Sequence, residues 1–191
     1  MTLSLEKFGD WKRLEKTLDG IQRKIEAAMR KATRKNALLL ERHIKKGIQT
    51  SKPAGGKSLA PLHPLTIQLK GSSKPLVDNA DMLNAITHKM VGKTDAVVGL
   101  LRNVPKKGAT GAAIGLVNLG WIHEHGWAIR VTPKMREYLA SQGMPLKATT
   151  THIKIPARPF VRPVFEDKKV QREFVRIYKD AIESVLTGEA F

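Results

Sequence analysis

The stretch His152-Ile-Lys-Ile-Pro-Ala-Arg-Pro-Phe-Val-Arg-Pro163 packs three prolines into a short span where a strand must hand over to a helix. Ile153 and Ile155 alternate with His152 and Lys154, the period of a half-buried strand. Pro156, Pro159 and Pro163 lack the N–H that a ladder or a helix interior needs, so neither continues through them. Ala157, Arg158 and Phe160 are thereby held in an extended, pre-ordered segment. Such a segment loses little entropy on docking, which suits presentation of Arg158 and Phe160 to a partner. Local physics favours the plainer role, a strand-to-helix connection in which Phe160 plugs the core.

On the C-terminal side, one helix is predicted from near Glu166 to Gly188, burying Val170, Phe174, Ile177, Ala181 and Val185. Glu166 and Asp167 sit at its start, where the positive helix terminus favours carboxylates. On the N-terminal side, Trp127 to Val131 reads as a strand. Thr132 and Pro133 form a helix start, with Gly143 closing that helix after Gln142. Ile114 to His123 is ambiguous between strand and helix, and Lys106 to Gly111 is read as an exposed, mobile loop. Thr87 to Val91 and Asp95 to Leu100 alternate around Gly92, Lys93 and Thr94, a hairpin pattern. Leu76 to Ile86 reads as a short helix capped by Asp78 or Asn79.

From Trp11 to about Ile48 apolar residues recur at helical spacing, through Leu14, Leu18, Ile21, Ile25, Ala28 and Ala32 to Ile44. With Asp10 as its cap, one helix of about 38 residues, or ~57 Å, is expected, with breaks conceivable at Gly20 or Lys35. Thr50 to Pro75 is rich in Pro, Gly, Ser and Lys and reads as a long loop holding a short helical turn between Pro61 and Leu69. A loop of that length is usually functional or ordered by a partner. The expected architecture is α+β: a long N-terminal helix and a C-terminal helix packed on a small, mainly antiparallel β-sheet, with long loops. A single domain covers 1–191, divided into the long helix 10–48, a basic loop 49–75 and an α+β core 76–188.

The 191 residues carry 34 Lys and Arg against 17 Asp and Glu, a net charge of +17, which favours polyanions or acidic surfaces as neighbours. No acid lies between Glu41 and Asp78, where Arg42, Lys45, Lys46, Lys52, Lys57, Lys70 and Lys74 form a candidate polyanion contact. After Val164 acids slightly exceed bases, so the two ends of one chain carry opposite balances that a second copy can complement. The absence of cysteine removes disulfides and thiolate metal sites. No apolar run approaches the ~20 residues of a membrane span, and Met1 to Asp10 lacks the centre of a signal peptide, so folding in the cytoplasm is expected.

Among constellations with chemical potential, His123, Glu124 and His125 invite a zinc reading. Histidines two apart with Gly126 following do not fit the four-residue helical spacing, and a polar turn in which Glu124 accepts backbone or Arg hydrogen bonds fits better. Gly108-Ala-Thr-Gly111 lacks the lysine of a phosphate loop. Asp78 and Asp81 suit capping better than acid-base work. With no Phe, Tyr or Trp between Trp11 and Trp121, the basic loop offers phosphate contact without base stacking. No cofactor, metal or catalytic residue is predicted.

Four pieces in order carry a family likeness: Leu59-Ala-Pro-Leu-His-Pro-Leu-Thr66, Lys74-Pro-Leu-Val-Asp-Asn-Ala-Asp-Met-Leu-Asn-Ala-Ile86, Ile122-His-Glu-His-Gly126 and Ile155-Pro-Ala-Arg-Pro-Phe160. Together, over about residues 35 to 185, the chain resembles the phage virion morphogenesis family, the Mu-like and tail-completion proteins of the head-to-tail neck. Family members usually carry Gly where this chain has Ala80, and a bulky aromatic in place of His125. The resemblance implies a non-enzymatic structural protein of a tailed phage or prophage, acting in tail completion or head-tail joining as a ring of identical subunits, such as a hexamer. Implied partners are further copies of itself, the tail tube or tail terminator, and head-completion or connector proteins, with non-specific DNA contact and no membrane. The implied location is the virion neck, and the host bacterial cytoplasm during assembly. The residues that match its signature, and so are candidate interface positions, are Glu124, Gly126, Trp127, Pro156, Arg158, Pro159 and Phe160. An Arg158–Glu124 ion pair across the sheet is expected.

Overall fold

The computed structural model describes residues 9–77, 80–101, 105–107 and 113–188 of the chain. The N-terminal periodicity produces one continuous helix, α1 (Trp11–Gln49), of 39 residues, about 58 Å long. It runs unbroken through Gly20 and Lys35. One glycine in a helix interior costs only about 1 kcal/mol, too little to interrupt so long a run. Between α1 and the C-terminal helices lie α2 (Pro64–Lys70), α3 (Asp81–Ala85), β1 (Ile86–Met90), β2 (Ala96–Leu100), β3 (Pro105–Lys107) and β4 (Ala113–Gly115). Then come α4 (Leu116–His125), β5 (Trp127–Arg130), α5 (Pro133–Ser141) and β6 (His152–Ile155).

The architecture is α+β, and the strands form three separate two-stranded antiparallel ladders among the described residues, where one small sheet was expected. The β1–β2 hairpin, paired from Ile86↔Leu100 to Met90↔Ala96, closes through the turn at Gly92 and packs along α1. β5 pairs with β6 from Trp127↔Ile155 to Arg130↔His152, and Pro156 stops it by lacking a donor. β3 pairs with β4, so Lys106 and Lys107 lie in a strand; the rest of the expected loop, 108–111, falls outside the described residues, as do Asp78 and Asn79.

The C-terminal helix expected from near Glu166 to Gly188 is α7 (Lys168–Thr187), and a further short helix, α6 (Arg162–Glu166), precedes it. Asp167 leaves helical geometry at φ −67°, ψ 117° and caps α7, accepting from the amides of Lys169 (2.7 Å) and Val170 (3.0 Å). Those hydrogen bonds, led by that from Val170, hold its carboxyl below the usual carboxylate range. Gly188, at φ 77°, ends the helix as expected.

The main core joins Leu40, Ile44 and Ile48 of α1 to Met82, Ile86, Phe160, Val164 and Val170. A second seam is built of small residues, with Ala28 and Ala32 of α1 against Ala181 of α7 and Ile177, Tyr178 and Val185 alongside. Polar contacts fix its register. Thr33 Oγ1 lies 2.9 Å from the Tyr178 hydroxyl and 3.1 Å from the Thr94 carbonyl, and Asn36 Nδ2 donates to the Phe174 carbonyl at 3.3 Å.

The basic loop packs against its own chain. Pro53 is fully buried, Leu59 N donates to Ser51 O at 2.8 Å, and a Cβ on Gly55, at φ +68°, would stand 2.7 Å from the Pro163 carbonyl.

Because Ala32 is wholly buried at the helix seam, Ala32→Leu should force α1 and α7 apart. A loss of about 1–3 kcal/mol is expected, read as a lower urea midpoint at unchanged m-value.

Candidate functional site

Glu124 stands in the last turn of α4, because the segment left ambiguous in the sequence is helical from Leu116 to His125. Its carboxylate reaches the proline-set connection. Oε2 accepts from the amides of Phe160 (2.9 Å) and Val161 (3.1 Å), and Oε1 from that of Arg162 (2.8 Å). These amides open α6, whose first turn offers no carbonyl partner, so the carboxylate satisfies three donors at a positive helix end. The expected acceptance of backbone hydrogen bonds is therefore observed at a helix end, not in a turn.

The expected Arg158–Glu124 ion pair is not formed. Arg158 is buried at 5% exposure. Its Nε donates to the Ala60 carbonyl (2.7 Å) and Nη2 to the Pro61 carbonyl (2.8 Å), while its amide donates to the His123 carbonyl (2.6 Å). The guanidinium thus ties the 59–62 strip to the connection, and Glu124 is already saturated by amides. Burial lowers the guanidinium from its ordinary value, but an arginine stays charged. Phe160, at 1% exposure, fills the core. Of the two roles open to the proline-set segment, both side chains take the internal one.

Gly126 is demanded by this approach. At φ +77°, a Cβ there would lie 3.0 Å from Ala157 N and 3.1 Å from Ile155 O. Gly120 is a contact residue, since a Cβ there would stand 2.1 Å from Leu100 Cδ1. Pro159 is half-buried, whereas Pro156 and Trp127 face outward. Trp127 is 50% exposed and Trp121 51%. Trp121 meets Trp127 edge-on at 5.5 Å and stacks on His125 at 4.9 Å.

His123 and His125 therefore face different ways, as two residues apart on a helix must. His125 Nδ1 lies 3.0 Å from the Trp121 carbonyl, and no cluster able to hold a metal occurs among the described residues. His123 is half-buried, and its Nδ1 atom is buried without a hydrogen-bond partner among the described residues. Burial pushes its imidazole down to about 4, and the charges of Arg158 and Lys70 push the same way. His123 also lines a cavity of about 400 Å³ with Leu62, Thr66, Leu76, Asp81 and Met82.

The candidate polyanion residues are spread over several elements. Arg42 and Lys46 are exposed on successive turns of α1, and Lys45 is bound to Glu41 at 2.5 Å. Burial raises the Glu41 carboxyl, but hydrogen bonds from His88 (2.6 Å) and Lys45 outweigh it and its titration falls below the usual range. Lys52 and Lys57 flank the packed Gly55–Gly56 turn, and Lys70 donates to the Lys74 carbonyl at 2.5 Å.

Comparison of the chain with protein-family models, with curated proteins and with solved structures finds no match.

Two measurements test this geometry. Glu124→Ala strips three amides of their acceptor and should destabilise the protein by about 3 kcal/mol or more, with Glu124→Gln recovering part of the loss. His123 has a folded pKa below its ordinary 6.5, so the unfolded chain binds the extra proton. Its contribution is complete above about pH 6.5 and drains away as pH falls toward 4, by up to about 3 kcal/mol. Urea midpoints between those pH values should fall less in His123→Gln than in the parent.

Proposed function

We propose that this chain is a non-enzymatic structural protein of a tailed phage or prophage, acting in virion morphogenesis at the head-tail neck as a ring of identical subunits. One observation carries the reading: the four sequence pieces behind the resemblance, scattered over a hundred residues, belong to one contiguous unit. Leu62 and Thr66 of the first, Leu76, Asp81 and Met82 of the second and His123 of the third line the same cavity. Arg158 of the fourth binds the first through Ala60 and Pro61, and Phe160 packs with Met82. Local physics requires none of these pieces to meet.

Ala80 lends separate support. It precedes α3 at φ 59°, ψ 10°, a left-handed conformation that costs a non-glycine residue roughly 1–2 kcal/mol. The resembled family usually has Gly at this place.

The partners under this reading are further copies of the chain, the tail tube or tail terminator, and head-completion or connector proteins. Its place is the neck of the virion, after assembly in the host bacterial cytoplasm. No helix among the described residues is long and apolar enough to cross a membrane. The outward Trp121–His125–Trp127 cluster supplies aromatic anchors of the kind that dominate protein contacts. Exposed Val175, Ile182 and Leu186 on α7 add apolar surface. A closed ring needs a heterologous contact, in which one patch meets a different patch on the next copy.

Deletion of the gene from its phage should leave filled heads and tails unjoined, with the infectious titre restored by the parent chain in trans. Joined, infectious particles at normal titre from the deletion strain would overturn the proposal. In the double variant Trp121→Ala/Trp127→Ala, light scattering should show a smaller assembly, alone or with purified tails, at nearly unchanged melting temperature. Ala80→Gly should stabilise the subunit by about 1 kcal/mol without altering assembly.

A further inference from the structure

The N-terminal half of α1 carries a charge feature outside the 42–74 segment. Arg23, Arg30 and Arg34 recur at spacings of seven and four, which places them on one flank of the helix, with Lys31 beside them. The turn between β1 and β2 brings Lys93 across to the same flank, held there by Glu26 at 3.5 Å. With Glu26 and Ala27 these residues line an open groove of about 500 Å³. Five cations face a single carboxylate, and that carboxylate is engaged by Lys93 and by Gln22 (3.2 Å). Arg23, Arg30, Lys31 and Arg34 are exposed and make no ion pair among the described residues.

We infer that this groove binds the phosphates of double-stranded nucleic acid without reading its sequence. The physical case rests on shape and sign. Arg23 to Arg34 spans about 16 Å of stiff helix, along which a duplex offers one negative charge per roughly 1.7 Å of axis. Arginine and lysine tips on a rigid rod neutralise such a row and release its counterions. A protein partner is less suited, since Ala27 is the one apolar residue in the lining, and protein interfaces are centred on apolar and aromatic side chains. Single strands are less suited too, because the groove has no aromatic ring on which a base can stack. An anionic membrane would have to meet the cations and the exposed Leu18 and Ile21 together. At 100° per residue these lie on roughly opposite sides of α1. The inference stands on the groove alone and does not depend on the neck reading.

The test is fluorescence anisotropy of a mixed-sequence duplex of about 20 base pairs, titrated at several salt concentrations between about 50 and 200 mM. Neutralising Arg23, Arg30 and Arg34 together with Gln should lower affinity at low salt at least about tenfold and flatten the log–log salt slope by about 2–3. An equal charge loss from Lys52→Gln, Lys57→Gln and Lys74→Gln should change that slope by less than about 1. Unchanged circular dichroism and melting are expected for both triples, since all six side chains are exposed. In the unaltered protein, the duplex should protect Lys31 and Lys93 from acetylation more than Lys52 and Lys57. Equal effects of the two triples, equal protection of the four lysines, or tighter binding to single-stranded DNA, to phosphatidylglycerol vesicles or to polyglutamate than to the duplex would each overturn the inference.

Discussion

Three amide donors in succession, on Phe160, Val161 and Arg162, converge on the one carboxylate of Glu124. They lie at and just before the start of α6, where no preceding helical turn supplies carbonyls, so these donors need an acceptor from elsewhere in the fold. Once Glu124 supplies it, the direction of the chain is fixed over four residues. Phe160 is then aimed into the core between α1 and Met82, and α6 starts at the right place to cover it. The same contact requires α4 to end close against β6, which only a residue without Cβ allows at Gly126.

Arg158 extends this constraint to a part of the chain nearly a hundred residues earlier. A buried guanidinium needs acceptors for a rigid fork, and the carbonyls of Ala60 and Pro61 are acceptors that a proline-rich strip cannot use internally. Two segments rich in proline, each short of partners, therefore complete one another. This explains why the long basic loop packs at all: it is pinned at Ala60 and Pro61 by Arg158 and at Gly55 by the close approach of Pro163.

Much of the secondary structure was legible because it rests on local rules. The 3.6-residue period gave α1, Thr132 with Pro133 began α5, Gly188 closed α7, and alternation around Gly92 marked the β1–β2 hairpin. What was not legible depends on partners distant in the chain. No periodicity reveals that Gly120 must yield space to Leu100, or that Glu124 serves amides instead of Arg158. The start of α7 was legible near Glu166, and Asp167 precedes its apolar run as an N-cap does, whereas the short α6 before it was not read. The polyanion segment was read from a run without acids, a one-dimensional criterion. In three dimensions Lys45 is consumed by Glu41, and the denser row of cations lies on α1 and across from it at Lys93.

The signature residues divide by direction, and the division follows from the clamp. Glu124 and Arg158 are spent on backbone groups and Phe160 on the core, so none of them is left to meet another molecule. Yet by locking the end of α4 and the start of β5 they hold Trp121, His125 and Trp127 in a fixed outward cluster. An aromatic surface held this way loses little entropy on contact, because its backbone is already tied by hydrogen bonds. Rigidity that serves the fold on the inner side thus becomes preorganisation on the outer one. Substitutions at Glu124 and Trp127 should accordingly differ in kind: the first lowers stability and blurs the surface with it, while the second alters the contact and leaves the fold standing.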